Sequence, residues 1–265
     1  MPKITLISHF YNEEMLLPYW IRHHKDFFDQ AILINHASTD SSVDIIKSMA
    51  PDWQVIDSSL QEFDALMTDF EVQKIEEQTA GWKVCLNTTE FLLGPLKDTI
   101  ERCEGLGVKS IYPRAMIMVD EEPEKKLSTN ISLIEQKPRG IPDSIIYNFI
   151  IRRSLRQLFK GLFKPGWRHV GRSRLIHCNR IAGYNVGRHS WVHQAKPIDD
   201  LTICWFGFSP WTQEGIDRKL GIQKKLPKSN LTWGGHHRIS FKKLQKQYLR
   251  HRLLTKILGV NVVLK

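Results

Sequence analysis

The sequence predicts an α/β protein with a mostly parallel central sheet flanked by helices. Apolar runs rich in β-forming residues alternate with helical patterns through roughly the first hundred residues, at the spacing of strand–helix units. Polar clusters follow three of these runs, at the points where the strands would end. The chain has 265 residues, of which 42% are hydrophobic, so it is long enough to bury a full core.

The first strand–helix unit lies at the start of the chain. Residues 3–9 are predicted to form a β-strand because they are mostly apolar and β-branched, and the polar run Asn12-Glu13-Glu14 follows them. A helical pattern comes next, and its apolar and aromatic positions are Leu16, Leu17, Trp20, Ile21 and His24.

The second and third units repeat this order. Residues 31–35 read as a buried strand that ends in the polar loop 36–42, whose Ser, Thr and Asp side chains are typical helix caps. The pattern then predicts a helix at 43–49, a strand at 53–57 and a helix at 69–78.

The stretch 81–94 allows two interpretations. Residues 82–86 are predicted as a fourth strand, followed by Asn87-Thr88-Thr89 and then Glu90 at the start of a second apolar run. Thr88 or Thr89, with Glu90 just beyond, would cap a helix well. The same polar groups at the carboxyl end of a buried strand would face a ligand.

The middle of the chain carries weaker patterns. We expect a helix within 91–103, and a strand pair or one long strand at 108–119 in which Pro113 marks an edge or a bend. Residues 120–146 show no apolar period and are predicted to form a surface loop.

The second half is predicted to hold three helices and a strand. Residues 147–164 are amphipathic and basic, which suits a membrane-surface helix and equally suits a helix packed on the core. Residues 201–208 read as a strand, and Ser209-Pro210 then resembles the start of a helix. Ser240 is predicted to cap a last basic helix that ends near Leu258.

The net charge of +10 is divided unevenly along the chain. Residues 1–140 carry 14 Lys and Arg against 23 Asp and Glu, a net charge of −9, while residues 141–265 carry 24 against 5, a net charge of +19. The second half is therefore expected to meet an anion, such as a diphosphate, a phospholipid, a polyanionic substrate or a nucleic acid.

Several classes are disfavoured by missing signals. The four cysteines are far apart, so neither a zinc knuckle nor a disulfide framework is indicated. The motifs of dinucleotide-binding folds, P-loops and α/β-hydrolases are absent. No signal-peptide pattern and no long apolar run occur, so we expect a cytoplasmic protein; contact with the inner face of a membrane is a separate hypothesis.

The first hundred residues resemble the GT-A glycosyltransferases of family 2, in particular the branch related to family 92. The likeness is carried by Asn12-Glu13-Glu14 with the following helix and its His23-His24 pair, by Ser38-Thr39-Asp40-Ser41, and by residues 82–92. It implies a single GT-A domain over 1–265, with a nucleotide-binding half at 1–119, the loop at 120–146 and a basic acceptor-side half at 147–265.

The resemblance also implies roles for individual residues. By position, Glu13 and Asp40 would contact the uridine of a nucleotide-sugar, and the neighbouring nucleotide-site candidates are Asn12, Asn87 and Thr89. Relatives carry Asp-x-Asp-Glu-Phe in the third motif, and its two aspartates hold a divalent Mn or Mg ion on the donor diphosphate.

The chain departs from this motif because Asn87 and Thr89 stand where the two aspartates would be. A site for a hard divalent cation loses most of its attraction without carboxylates, so use of a metal is left open. Either cations of the second half stabilise the departing diphosphate, or the transferase activity has been lost.

The second half resembles the acceptor side of the same branch in four short motifs, at 171–174, 187–193, 209–219 and 235–237. The candidates for contact with the diphosphate or the acceptor are Arg172, His189, His193, Arg218, Lys219, His236 and His237. An inverting transfer also needs a base for the acceptor hydroxyl, and the candidates are Glu214, Asp217 and Glu90.

The predicted function is transfer of a sugar from a nucleotide-sugar, a UDP-sugar by resemblance, to a glycan, glycolipid or polysaccharide acceptor with inversion. The alternative is a catalytically inactive homologue that binds nucleotide or glycan. A nucleic-acid binder is the third hypothesis and is not expected, because no nucleic-acid motif accompanies the basic charge.

Overall fold

Four parallel strands form the centre of the sheet in the computed structural model, which describes residues 2–146, 171–227 and 238–262. They are β1 (Ile4–Phe10), β2 (Gln30–Asn35), β3 (Gln54–Asp57) and β4 (Trp82–Cys85), in the order β3-β2-β1-β4. β1, β2 and β4 are almost wholly buried, as expected of parallel strands that helices cover on both faces. The predicted α/β class with a parallel central sheet is confirmed.

The helices of the first half are α1 (Leu17–His24), α2 (Ser42–Met49) and α3 (Ala65–Gln78). α1 buries Leu17, Trp20 and Ile21 as its pattern predicted. α3 begins four residues before the predicted start because the Asp64 side chain accepts hydrogen bonds from the first free backbone amides of the helix.

The rest of the sheet is mixed in direction. Its strands are β5 (Glu90–Leu93), β6 (Ser110–Val119), β7 (Arg139–Pro142), β8 (Ile176–His177), β9 (Lys196–Phe208) and β10 (Val260–Asn261). β6 pairs with β9 in parallel and with β7 and β8 antiparallel, while β4 pairs with β8 antiparallel. The expectation of one long strand at 108–119 is confirmed, and a register shift occurs at Pro113.

The interpretation of Glu90 as the start of a capped helix is wrong. Glu90 opens β5, which pairs antiparallel with β9, and the helix α4 (Leu96–Gly105) begins only after Gly94. Gly94 has a φ of +109°, and a Cβ there would lie against the backbone of Asp200 on β9. The partner strand that makes β5 a strand lies more than a hundred residues away, so no local pattern showed it.

The prediction of a surface loop at 120–146 is also wrong. This segment contains the short helix α5 (Leu133–Gln136), strand β7 and a helical turn α6 (Asp143–Ile146). Leu133, Ile134 and Ile141 are fully buried, because β7 adds to the sheet beside β6 and carries Ile141 into the core. The apolar positions are too few and too widely spaced to form a recognisable period.

The last two described helices are α7 (Gln213–Gly221), which continues into a 3-10 turn at Ile222–Lys225, and α8 (Phe241–Leu258). Ser209-Pro210 does not start α7; its cap is Thr212, whose hydroxyl accepts from the Gly215 amide at 3.2 Å. The predicted Ser240 cap of α8 is confirmed, since its hydroxyl accepts from the Lys243 amide.

Two predictions fall outside the described part of the chain. They are the amphipathic helix at 147–164 and the turn at 233–237 that contains His236 and His237. Among the described helices, none is long and apolar enough to cross a membrane. The division of the chain into a single domain stays a prediction.

Candidate functional site

A cleft of about 230 Å³ opens at the carboxyl ends of the central parallel strands. β1 delivers His9 and the following Glu13 to its wall, β2 delivers His36, and β4 delivers Asn87-Thr88-Thr89. The opposite wall belongs to the second half of the chain, through Arg172, Arg174, Arg188, His189, Trp205, Arg218, Lys219 and Lys225. The strand ends of the acidic first half and the cations of the basic second half therefore meet in one cleft. In open α/β sheets, ligands bind at this edge.

The polar loops that follow β1 and β2 are hydrogen-bonded to each other. The Asn12 side chain accepts from the Thr39 amide at 2.8 Å, and Asp40 accepts from the Glu14 amide at 3.1 Å. Asn12 adopts a left-handed backbone conformation with a φ of +50°, which asparagine tolerates better than most residues. Neither Asn12 nor Asp40 lines the cleft, so their predicted contact with a nucleotide stays a prediction.

Glu13 faces the cleft and is paired with Arg218 on α7. Nη1 of Arg218 lies 2.7 and 3.0 Å from the two carboxylate oxygens, and both side chains are almost completely buried. Burial raises the pKa of Glu13, and the charge of Arg218 opposes that rise. This pair joins the first loop of the sheet to the basic half of the chain.

Arg188 connects α3 to the end of β4. Its guanidinium lies 2.6 Å from Oδ1 of Asp69 and donates to Oδ1 of Asn87 at 2.9 Å. The Gly187 amide donates to the other Asp69 oxygen at 2.7 Å, so that carboxylate is held on both sides. Burial raises the pKa of Asp69, and Arg188 acts against the shift.

Arg188 holds a φ of +58°, which is uncommon for a residue with a long side chain. Such conformations persist where the surrounding contacts determine them, and they concentrate at functional sites. Here the contacts with Asp69 and Asn87 fix the backbone of residues 187–188 against the cleft.

Glu90 lies fully buried beneath the cleft and forms a two-bond pair with Arg174. Nε of Arg174 is 2.9 Å from Oε2, and Nη2 is 2.5 Å from Oε1. The same carboxylate accepts from the Asn87 amide at 2.8 Å, which fixes the end of β4. Arg174 also donates to the Arg188 carbonyl at 3.1 Å, so the two guanidinium groups belong to one buried network.

Arg172 and Lys219 lie over the same aromatic ring. The Arg172 guanidinium lies 3.7 Å from the ring centroid of Trp205, and Lys219 Nζ lies 4.9 Å from it. Lys219 donates to the Gly207 carbonyl at 2.7 Å. Within the described residues, no carboxylate lies at ion-pair distance from either side chain.

The charges of Arg172 and Lys219 are incompletely compensated. Burial lowers the pKa of Lys219 well below its ordinary value, and the neighbouring Arg218 and Arg172 lower it further. Burial also lowers the pKa of Arg172, and the Asp143 carboxylate, which accepts from the Arg172 amide at 3.1 Å, opposes that shift. Partial burial of two cations without a paired carboxylate is costly, so this wall of the cleft favours binding of an anion.

His9, His36 and His189 line the cleft, and the last two differ in their surroundings. Burial, with the charges of Arg174 and Arg172, lowers the pKa of His189 to about 3. His189 Nδ1 lies 3.2 Å from Nη1 of Arg174, so its neutral ring serves as an acceptor there. Burial lowers the pKa of His36 to about 4, and among the described atoms its Nε2 has no hydrogen-bond partner.

The residues at the end of β4 do not fit a divalent metal site. Among the described residues, no group of three or more His, Cys, Asp or Glu side chains is arranged to hold a metal ion. Asn87 and Thr89 offer neutral oxygens, and Oδ1 of Asn87 is already bound to the Arg188 guanidinium. A fixed positive charge on this oxygen repels a dication, whereas hard cations favour anionic oxygen ligands.

The predicted base candidates do not converge on the cleft. Glu90 is buried in its pair with Arg174. Glu214 is exposed and borders a second cavity of about 650 Å³, together with Tyr19 and Trp211. Asp217 is exposed and accepts from Gln213 at 2.9 Å. Their roles in proton transfer stay predictions.

The diphosphate and acceptor candidates divide into three groups. Arg172, His189, Arg218 and Lys219 line the cleft. His193 lies outside it, with Nε2 at 2.7 Å from the Ile181 carbonyl. His236 and His237 are not among the described residues.

The sequence interpretation did not select several residues that the fold brings to the cleft. They are His9, His36, Asp69, Arg174, Arg188 and Lys225. Arg174 and Arg188 lie inside the short motifs at 171–174 and 187–193, and the charge of the second half was the available signal for them. Asp69 had no signal, because its partner Arg188 is 119 residues away.

Comparison with known proteins gives similarity to solved structures alone. The chain matches no protein-family model and no curated protein. It is similar to TarS from S. aureus, with 12% identity and a TM-score of 0.37 over 95% of this chain and 43% of that one. It is also similar to glucosyl-3-phosphoglycerate synthase from Mycobacterium tuberculosis bound to Mn²⁺ and UDP-glucose, with 12% identity and a TM-score of 0.34 over 67% of this chain and 56% of that one.

A third structure, the same synthase with Mn²⁺, UDP and glucosyl-3-phosphoglycerate, shows 14% identity and a TM-score of 0.31, and the match covers 44% of each chain. The chain thus spans about half the length of the structures it matches. These TM-scores are low, so the fold class rests on the strand order described above.

Proposed function

We propose that this chain is a GT-A glycosyltransferase, related to family 2 and its family 92 branch, that transfers a sugar from a UDP-sugar. The acceptor would be a glycan, a glycolipid or a polysaccharide, and the transfer would invert the anomeric centre. The observation that carries the proposal is the pair of half-buried, cleft-lining cations Arg172 and Lys219, neither of which has a carboxylate at ion-pair distance from its side chain among the described residues, at the ligand-binding edge of a parallel sheet.

These two cations can stabilise the diphosphate that departs during transfer. In the transfer, the bond between the anomeric carbon and the β-phosphate oxygen breaks, and the acceptor oxygen forms its bond to the same carbon. Negative charge develops on the departing diphosphate, and positioned cations in a water-poor cleft stabilise that charge. Arg172 binds phosphate oxygens through its planar fork, and Lys219 adds a point charge beside it.

In the proposed transfer, side chains stabilise this charge, because the end of β4 does not fit a divalent metal. The third motif has lost its two carboxylates, and Arg188 occupies the remaining amide oxygen. Arg174 and Arg188 are neutralised by Glu90 and Asp69, so they serve to position the wall. Arg172 and Lys219, which lie together on the Trp205 ring, are the proposed diphosphate cations, and Lys225 lies apart from them over the Tyr11 ring.

The nucleoside would lie at the other end of the cleft. Tyr11, His36 and Phe63 line the cleft, and the rings of Tyr11 and Phe63 each lie within 6.5 Å of the His36 ring, so they offer one aromatic surface for a base. Nε2 of His36, which has no hydrogen-bond partner among the described atoms, provides a polar atom beside these rings.

The base that takes the acceptor proton is assigned to Glu214. The carboxylates that line the cleft, Glu13 and Asp69, are both ion-paired, and Glu90 is buried in a pair of its own. Glu214 is exposed beside the second cavity, which offers Tyr19 and Trp211 as surfaces for a sugar ring. Asp217 is the remaining candidate on the same helix.

The alternative is a homologue that binds a nucleotide or a glycan without transfer, and the loss of both motif aspartates favours it. The variant Asn87→Asp with Thr89→Asp separates the two functions. Sugar transfer that depends on Mn²⁺ in this variant, with none in the native chain, would support the inactive alternative. Transfer by the native chain in the presence of a chelator supports the proposal.

Calorimetric titration of the native chain with UDP and with UMP, each with Mn²⁺ and with a chelator, tests the donor site. We expect UDP to bind more tightly than UMP, with an affinity that the chelator leaves unchanged. Binding of UDP that requires Mn²⁺ would contradict side-chain stabilisation of the diphosphate. Absence of UDP binding in both conditions would overturn the assignment of a UDP-sugar donor.

A further inference from the structure

The outer face of α8 is both apolar and strongly basic. The inner face buries Leu244, Tyr248 and Thr255 against the sheet. On the outer face, Leu249, Leu253 and Ile257 are exposed by 52%, 61% and 69%. They are spaced four residues apart and therefore form one stripe along the helix.

Cations surround this stripe. The exposed side chains beside it include Lys242, Lys243, Lys246, Arg250 and Lys256, and residues 241–258 contain no Asp or Glu. We call the stripe and these five cations the outer face of α8. Single exposed apolar side chains are ordinary on protein surfaces. Three aligned ones among cations that form no ion pair with any described carboxylate suggest a binding surface.

We propose that the outer face of α8 docks on an anionic phospholipid surface. A lipid interface accepts apolar side chains at the boundary of the acyl chains and attracts lysine and arginine to its phosphates, so it uses both features of this face. A nucleic acid would use the cations alone and leave the leucines exposed. The proposal concerns α8 and is independent of the segment 147–164.

The inner face of α8 ties this docking surface to the cleft. The Tyr248 ring stacks on Trp211 with centroids 3.9 Å apart, and the His251 ring lies 4.5 Å from Phe208. Phe208 in turn lies 4.3 Å from Lys219 Nζ. Docking through α8 would hold the Lys219 side of the cleft about one helix diameter, roughly 10 Å, above the lipid headgroups.

That arrangement suits an acceptor attached to a lipid, and this consequence alone rests on the proposed function. A lipid-linked acceptor would reach the cleft from the bilayer surface while its acyl part stayed in the membrane. The docking of α8 itself requires no transferase activity.

Sedimentation of the full chain with vesicles tests the docking. The vesicles are phosphatidylcholine alone and phosphatidylcholine mixed with phosphatidylglycerol, at low salt. The first variant is Leu249→Ser with Leu253→Ser and Ile257→Ser, and the second is Lys246→Gln with Arg250→Gln. The matched controls are Leu106→Ser, which changes an exposed leucine on another helix end, and Lys47→Gln with Lys74→Gln.

We expect the native chain to bind the mixed vesicles and to bind phosphatidylcholine weakly. Each cation near an anionic membrane strengthens binding about five-fold, so the Lys246 and Arg250 variant should bind roughly 25-fold more weakly. Loss of three half-inserted apolar side chains should weaken binding at least about 100-fold. The two control variants should bind as the native chain does.

Several results would overturn the inference. These are no sedimentation of the native chain with mixed vesicles, an equal loss in the control variants, or binding that the leucine variant leaves unchanged. The face would be assigned to nucleic acid if duplex DNA displaced the native chain from vesicles and the leucine variant bound that DNA as tightly as the native chain does. A native oligomer that the leucine variant dissociates would assign it to a second copy of this chain.

Titration of the same variants with UDP separates this inference from the proposed function. Their UDP affinity should match that of the native chain, because the changed side chains lie outside the cleft. Loss of vesicle binding with intact UDP binding supports the docking surface. Vesicle binding without UDP binding would leave the docking surface in place and contradict the donor site.

Discussion

The guanidinium of Arg188 donates a hydrogen bond to Oδ1 of Asn87 at 2.9 Å, so a cation is bound at the position where the resemblance places the first aspartate of a metal motif. The same guanidinium pairs with Asp69 at 2.6 Å in a nearly water-free setting. A buried carboxylate that loses its cation is expensive, and this gives the arrangement a measurable consequence.

Arg188→Ala should lower the free energy of unfolding by about 3–5 kcal/mol, because Asp69 would remain buried without a counter-charge. The control is Arg180→Ala, whose pair with Glu77 is exposed and 3.5 Å long; it should cost less than about 1 kcal/mol. Urea denaturation measures both. In a double-mutant cycle, Asp69→Asn should recover a large part of the loss, and independent effects of the two changes would contradict the pairing.

Lys219→Ala should weaken UDP binding about 10- to 100-fold and weaken UMP binding less, because charge-assisted contacts with the terminal phosphate are worth roughly 1.5–3 kcal/mol. Arg172→Ala should act in the same direction. Lys224→Ala is the matched control, since Lys224 is exposed on the 3-10 turn and lies outside the cleft. Calorimetry gives the affinities. If Lys219→Ala weakened the binding of UDP and of UMP by the same factor, Lys219 would not contact the terminal phosphate.

His36 should make the protein less stable in mild acid. Burial, with the nearby charges of His9 and Lys225, lowers the pKa of His36 from 6.5 to about 4. The unfolded chain takes up the proton first as the pH falls, so stability present above pH 6.5 is lost progressively towards pH 4. The contribution is of the order of 3 kcal/mol over this interval.

His36→Gln removes this titration and should reduce the slope of unfolding free energy against pH between 6.5 and 4, while the other histidines with lowered pKa values, such as His189 and His251, keep their share of that slope. Urea denaturation at several pH values measures the slope, and NMR titration of the His36 ring gives its pKa in the native chain. A native ring that titrates near 6.5, or a variant with the native slope, would contradict the explanation.

Substitution of Glu90 and of Glu214 should have different effects on the free energy of unfolding. Glu90→Gln leaves Arg174 buried without its counter-charge and should cost about 3–5 kcal/mol of stability. Glu214→Gln changes an exposed side chain and should alter stability by less than about 0.5 kcal/mol.

The same two variants test the base in the proposed transfer. Glu214→Gln should lower the rate of sugar transfer about 10²- to 10⁴-fold with little change in donor affinity. Asp217→Asn is its control on the next turn of α7. A native rate in Glu214→Gln, with a large loss in Asp217→Asn, would move the assignment to Asp217.

Much of the first half could be predicted from the sequence. The bounds of β1, β2 and α1 and the Ser240 cap of α8 depend on side-chain periodicity and on contacts within one helical turn, and both are local. The prediction that polar strand ends meet at one edge also needed no more than parallel pairing. The basic surplus of the second half predicted an anion site; its cations line the cleft, and binding of an anion stays a prediction.

The tertiary structure alone decided which of these side chains are partners. Arg174 meets Glu90 across 84 residues, and Arg188 meets Asp69 across 119. Neither pairing follows from periodicity, because each depends on how the second half folds back over the strand ends. The same packing made Glu90 a strand residue and a buried counter-ion, and it left Lys219 half-buried without a carboxylate partner among the described residues. The sequence by itself determined the local elements and their charges, while burial in three dimensions decided which charges were neutralised and which can bind an anion.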